Sequence, residues 1–206
     1  RETVKKIEAL KEEQEYNELK QDINDIVKDI IVGADRTAAI VRGLRNFSRL
    51  DEDNLKLANI NECIDSTLVI LSGQFKEYIE IEKKYDPYLP DVNCFPGQLN
   101  QVFLNLLNNA RQAIEKNGKI TISTFNLEND IRISIKDNGI GIPAHLMNKI
   151  FEPFYTTKDI GEGTGLGLSI SYGIIEKHKG KIDVKSEVGE GTEFIIDISK
   201  NIDLVY

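Results

Sequence analysis

The 206-residue chain has no tryptophan, one methionine, two cysteines, two histidines and five prolines. Cys63 and Cys94 stand apart, with no C-x-x-C pair and no histidine beside either. They read as buried or half-buried thiols in a reducing compartment, not as a metal or redox centre. No apolar run approaches the roughly 18–20 residues that cross a bilayer. The opening RETVKKIEAL also lacks the apolar stretch of a secretory signal. The segment therefore reads as cytoplasmic, and any membrane contact would come through upstream sequence. Basic residues are not in excess: 26 Lys and Arg stand against 34 Asp and Glu, for a net charge of -8. That balance argues against a nucleic-acid partner. Low-complexity tracts and solenoid repeats are also missing.

What is present falls into two parts. Residues 1–52 contain no proline and carry Ile23, Ile26, Ile30, Gly33, Thr37, Ile40, Leu44 and Phe47 at alternating steps of three and four. This is a heptad seam. Val27, Ile31, Ala34, Ala38 and Val41 flank it. A seam with a flank suits a helix buried on two sides, as in a four-helix bundle. One long helix and a shorter piece over residues 2–14 cannot supply four helices, so a homodimer is expected.

Residues 55–200 read as an α+β domain. A short strand and a helix are expected within LKLANINECIDSTLVILSGQFK, and IEIEKKYD alternates as a strand. A helix is expected over PGQLNQVFLNLLNNARQAIEKNG, from Pro96 to just before Gly118. Two strands flank the turn at Glu128, Asn129 and Asp130. PAHLMNKIF reads as a short helix opened by Pro143. A loop covers 151–166, followed by a helix in GLSISYGIIEKHKG and two closing strands. Hairpins dominate, which predicts a two-layer sandwich: a mixed, mostly antiparallel sheet covered by helices, preceded by the long helix.

The stretch GEGTGLGLS, from Gly161 to Ser169, is dense in glycine. It fails the dinucleotide fingerprint, because Leu166 or Leu168 stands where the third glycine belongs. It also fails the P-loop pattern, having no lysine after its last glycine. A glycine-rich run leading into a helix N-terminus still offers free N–H groups and a favourable dipole to an anion. Three further stretches accompany it. NLLNN puts Asn105 and Asn109 four apart on one helix face, leaving Leu106 and Leu107 for the core. DNGIGI places Asp137 at a strand end, with Gly139, Gly141 and Ile142 behind it. FEPFYTTK ends in Thr157 and Lys158.

These stretches resemble, in order, the N, G1, F and G2 boxes of the sensor histidine kinases, which share the Bergerat ATP-binding fold with gyrase B subunits, mismatch-repair ATPases and a heat-shock chaperone. GEGTEF, residues 189–194, resembles a last glycine box. The similarity covers residues 55–199, and GLRNFSRLDE before it resembles the second helix of the kinases' dimerisation domain. The resemblance implies ATP and Mg²⁺ as cofactors. It places the metal ligand at Asn109 and the adenine-reading carboxylate at Asp137. A carboxylate at a strand end accepts from an exocyclic amine, so adenine is favoured over guanine. Gly139 and Gly141 would let the backbone pass close to the base. Further nucleotide contacts fall on Ile142 and Thr157, on Gly161, Gly163, Thr164, Gly165, Leu166 and Gly167, and on Thr192.

Catalytic roles fall on Asn105 and Lys158. Lys158 would neutralise the γ-phosphate near the lid formed by residues 151–166. Asn105 stands where the superfamily's hydrolases carry a water-activating Glu, and an amide cannot take a proton near neutral pH. The site is thus expected to favour phosphoryl transfer over hydrolysis. Arg111 and Lys116 are lesser candidates. Neither His145 nor His178 sits in an acceptor box. The acceptor helix is expected to be missing from this sequence, leaving a chain that binds ATP but cannot phosphorylate itself. The implied partner is a response-regulator receiver domain. An ATPase or a serine kinase of the same superfamily is the alternative reading.

Overall fold

A computed structural model describes residues 54–75, 78–157 and 165–200, together with helical positions between 17 and 34. The chain divides into two units, Arg1–Arg42 and Gly43–Tyr206. In the first, residues 19–28 form helix α1. Leu19, Ile23, Ile26, Val27, Ile30 and Ile31 are each between 47% and 62% exposed there. Gly33, Thr37, Ala38, Ile40, Val41, Leu44 and Phe47 of the expected seam and flank, and the piece over 2–14, lie outside the described residues.

The second unit carries the sandwich. Its strands are β1 (Lys56–Ala58), β2 (Ile79–Lys84), β3 (Val92–Cys94), β4 (Gly118–Asn126), β5 (Asp130–Asp137), β6 (Lys181–Glu187) and β7 (Gly191–Ser199). Its helices are α2 (Ile60–Leu71), α3 (Pro96–Ala113) and α4 (Gly167–Lys177). Five strands form one sheet in the order β2-β4-β5-β7-β6. Only β2 and β4 run parallel; the other pairs are antiparallel. β1 and β3 form a separate antiparallel pair. Among the described residues no helix is long and apolar enough to cross a membrane.

The sheet follows from period-two alternation. Ile120 and Ile122 on β4, Ile131, Ile133 and Ile135 on β5, and Phe194, Ile196 and Ile198 on β7 are all buried. They face α3, whose Leu99, Val102, Phe103, Leu106 and Leu107 are fully buried. Each such side chain contributes about 1.5–3 kcal/mol relative to an exposed one. The opposite face is polar. There Arg132 donates two bonds to Asp197, at 2.7 and 2.8 Å, and Ser134 donates to Glu193 at 2.6 Å.

Two elements differ from expectation. PAHLMNKIF contains only a single 3₁₀ turn, Ala144–Leu146, inside a run of three-residue turns reaching Tyr155. A helix this short is marginal in water, and Pro153 bars the α region to Glu152. Helix α3 ends at Ala113 rather than near Gly118, which is instead the first residue of β4. The Ala113 carbonyl accepts from Ile140 N–H at 2.9 Å, so a loop from elsewhere in the chain terminates the helix.

Candidate nucleotide-binding site

Asp137 ends β5 and is 3% exposed. Its Oδ1 accepts from Gly139 N–H at 2.8 Å and from Thr192 N–H at 3.3 Å. Burial raises the carboxyl above its usual range, and the backbone N–H bonds oppose that rise. Both side-chain bonds fall on Oδ1, so among the described residues the buried carboxyl is held by backbone donors and not by a cation.

The glycines beside it are required by packing. A side chain on Gly139 would strike the Ala113 carbonyl, and one on Gly141 would strike the Glu187 carbonyl. Gly141 also has φ +72°. These residues let the loop after β5 press on the end of α3 and on the β6–β7 turn. Gly189 N–H donating to the Ile140 carbonyl at 2.9 Å closes the same contact.

A residue that sequence reasoning missed joins this cluster. Ser186 Oγ accepts from Ile142 N–H at 2.7 Å, donates to the Gly191 carbonyl at 2.8 Å, and lies 2.9 Å from Thr192 Oγ1. It pins Ile142 and Thr192, two expected contacts, to one another. Its partners lie up to 44 residues away, and nothing in VKSEVGEG marks it.

Helix α3 carries the second half of the site. Asn105 Nδ2 donates to the Gly167 carbonyl at 2.9 Å and to Ser171 Oγ at 3.2 Å. Ser171 Oγ donates to the Gly167 carbonyl at 2.8 Å and is fully buried. The start of α4 is thus clasped to α3. Leu166, at the N-cap, makes no side-chain cap bond, so the first turn of α4 keeps N–H groups for an anion. Asn109 lies one turn beyond Asn105 and is half-buried. Among the described residues its amide has no hydrogen-bond partner. Ala113, one further turn along, contacts Gly139 and Ile140, so a single helix ties Asn105 and Asn109 to the Asp137 cluster.

Arg111 is committed elsewhere: Nε and Nη2 donate to Asn108 Oδ1 at 3.1 and 2.8 Å. Lys116 is exposed. Thr157 is exposed on a bend. Lys158, Gly161, Gly163 and Thr164 lie outside the described residues. The flanks of that stretch meet, because Gly165, at φ +65°, packs against the Phe154 carbonyl. His178 is fully buried, with Nε2 accepting from Phe95 N–H at 3.0 Å and Nδ1 2.7 Å from the Ile174 carbonyl. His145 is exposed on the 3₁₀ turn.

A single neutral amide oxygen fits Mg²⁺, which keeps waters and phosphate oxygens as its other ligands. The half-buried amide of Asn109, unpartnered among the described residues, is chemically compatible with such a role. Asn105, with its amide N–H groups already engaged on α4, does not present a proton acceptor of the kind hydrolysis uses.

The family model described as histidine kinase-, DNA gyrase B-, and HSP90-like ATPase matches residues 95–202. The chain is similar to the sensor kinase CckA of Brucella abortus, at 36% identity over 192 residues. That match covers 86% of this chain and 20% of CckA, so the chain spans about a fifth of that relative's length. The solved catalytic domain of the histidine kinase ThkA is similar at 36% identity and a TM-score of 0.65, covering 71% of this chain and 96% of that one. ThkA solved in complex with the response regulator TrrA matches at 32% identity and a TM-score of 0.61, covering 82% of this chain and 48% of that one. The chain therefore belongs to the histidine kinase-, DNA gyrase B- and HSP90-like ATPases, on their sensor histidine kinase branch.

Proposed function

We propose that this chain is the ATP-binding kinase module of a cytoplasmic two-component signalling assembly, passing the γ-phosphoryl group of ATP to a histidine for relay to a receiver-domain aspartate. The observation that carries this reading is the continuity of α3. One helix bears Asn109, clasps the N-terminus of α4 through Asn105, and abuts the Asp137 cluster through Ala113.

In this reading Asp137 accepts from the adenine amine, with Thr192 and Ser186 fixing the carboxylate and the neighbouring backbone. The first turn of α4 faces the phosphates. Asn109 would hold Mg²⁺, which supplies neutralising charge along the triphosphate when bound. Lys158 and the glycines from Gly161 to Gly167 would close over the phosphates. Transfer is favoured over hydrolysis because position 105 supplies amide donors to α4 and no base to a water.

Neither histidine of this chain suits the acceptor: His178 is buried between Phe95 and Ile174, and His145 lies on a 3₁₀ turn within this domain. This reading places the acceptor histidine on a separate helix. The exposed apolar face of α1 supports pairing with a second copy. ThkA, solved with a response regulator, supports a receiver domain as partner.

The test supplies a separate polypeptide carrying an acceptor helix, together with γ-labelled ATP. Label on that helix's histidine is the expected result. Sustained phosphate release without labelling would move the chain to the ATPases.

A further inference from the structure

Asn105 occupies the position where a proton acceptor would sit in a hydrolase, yet its geometry serves a different task. Both of its hydrogen bonds leave from Nδ2, and both end near the start of α4: the Gly167 carbonyl at 2.9 Å and Ser171 Oγ, one turn on, at 3.2 Å. Ser171 closes the triangle by donating to the same carbonyl at 2.8 Å. The Gly167 carbonyl therefore takes two side-chain donors besides its place in the helix. Ser171 is fully buried, so water cannot substitute for Asn105 there. Gly167 itself leaves room: a Cβ there would lie 3.5 Å from Asn105 Cγ, an ordinary contact. The clasp is thus a matter of hydrogen bonding, not of steric confinement.

Its position gives it consequence. Gly167 is the first residue of α4, immediately after Leu166 at the N-cap. Asn109 lies one turn along the same face of α3. Fixing Gly167 to Asn105 therefore fixes the orphan N–H groups of α4 relative to Asn109.

We infer that Asn105 is a positioning residue, latching the N-terminus of α4 to α3 so that the α4 N-terminus and Asn109 address the same triphosphate. This inference rests on the nucleotide-site reading above. It differs from a chemical role at position 105 in what it requires of Ser171, which in the latch is an equal partner and in a chemical role is a bystander.

The experiment uses Asn105→Asp, Ser171→Ala and the double variant in the whole chain. Asp keeps the shape of Asn but removes the donor at neutral pH. Affinities for ATP and ADP are measured by calorimetry, and transfer to a separate acceptor-helix polypeptide is measured at saturating ATP. A latch predicts that each single variant weakens both nucleotides by roughly tenfold, the scale of one lost buried bond. The double variant should be little worse than either single, because the two residues act as a unit. The rate at saturating ATP should fall far less than the affinity. Unchanged affinity in either single variant, or a loss confined to the saturated rate in Asn105→Asp with Ser171→Ala normal, overturns the latch. If the unmodified chain binds no adenine nucleotide, the site reading itself fails. Circular dichroism and a urea melt of each variant establish that it is folded, and Asn105→Gln, which keeps an amide donor, should recover part of the lost affinity.

Discussion

Phe95 donates its backbone N–H to His178 Nε2 at 3.0 Å, joining two residues 83 positions apart at the N-terminus of α3 and the C-terminus of α4. The rings meet edge to face at 5.4 Å, and Nδ1 lies 2.7 Å from the Ile174 carbonyl, to which it donates. With one nitrogen accepting and the other donating, the imidazole is neutral. A helix C-terminus would favour an imidazolium, but full burial outweighs that effect.

This neutrality has a pH consequence. Burial, aided by the nearby Lys177 charge, lowers the His178 pKa, while the bond to Ile174 opposes the shift. An unfolded imidazole titrates near ~6.5, so on acidification the unfolded chain takes up the proton first. The stabilisation is complete above that value and is lost as the pH falls toward the folded value. His178→Gln removes the titration. Urea unfolding at pH 7, 6 and 5 should show the stability gap between wild type and variant narrowing with acidity. Comparing the two proteins cancels the opposite contribution of Asp137. Parallel profiles would mean that His178 is not held neutral.

Asp137→Asn separates binding from folding. The amide oxygen can still accept from Gly139 and Thr192 N–H, so both backbone bonds survive. The ionised group's burial cost disappears with the charge. The apo protein should melt no lower than wild type, while ATP binding weakens by about 1–3 kcal/mol. Calorimetry and a thermal melt give the two numbers; undiminished affinity would remove adenine from this pocket.

Asn109→Ala isolates the metal. The nucleoside contacts sit around Asp137, so ATP affinity without divalent ion should change little. The gain in affinity on adding Mg²⁺ should be mostly lost. Paired titrations with and without Mg²⁺ check this, and an intact Mg²⁺ gain would place the ion elsewhere.

Two glycines should respond in opposite directions. At Gly141 the left-handed φ of +72° and the Glu187 carbonyl both oppose a side chain, so Gly141→Ala should cost roughly 2–4 kcal/mol. Gly173 lies within α4 with nothing near its Cβ position, so Gly173→Ala should stabilise by about 0.5–1 kcal/mol. Denaturant midpoints with unchanged slopes test both, and a neutral Gly141→Ala would refute the close approach.

The two cysteines fulfil their expectation of burial, and desolvation pushes each thiol to about 12, which keeps it protonated near neutral pH.

What the sequence determined by itself were the elements whose periodicity is local. Alternating isoleucines specify β4, β5 and β7, and Leu106 and Leu107 between the two asparagines specify the buried face of α3. The order of its glycine- and asparagine-bearing stretches also marked Asp137, Asn105 and Asn109. Tertiary structure decided the rest, because those features are fixed by partners distant along the chain. The three-residue strand β3 is too short to show a period and is held by pairing with β1, the short strand that the sequence did suggest. Helix α3 stops where Ile140 takes the Ala113 carbonyl, although the helical pattern continues past it. Ser186 and Ser171 look like ordinary serines until strand pairing and helix packing bring Thr192 and Asn105 within hydrogen-bond reach. A side chain's type is written locally, but what it touches is set by the fold, and in this site the touching decides the role.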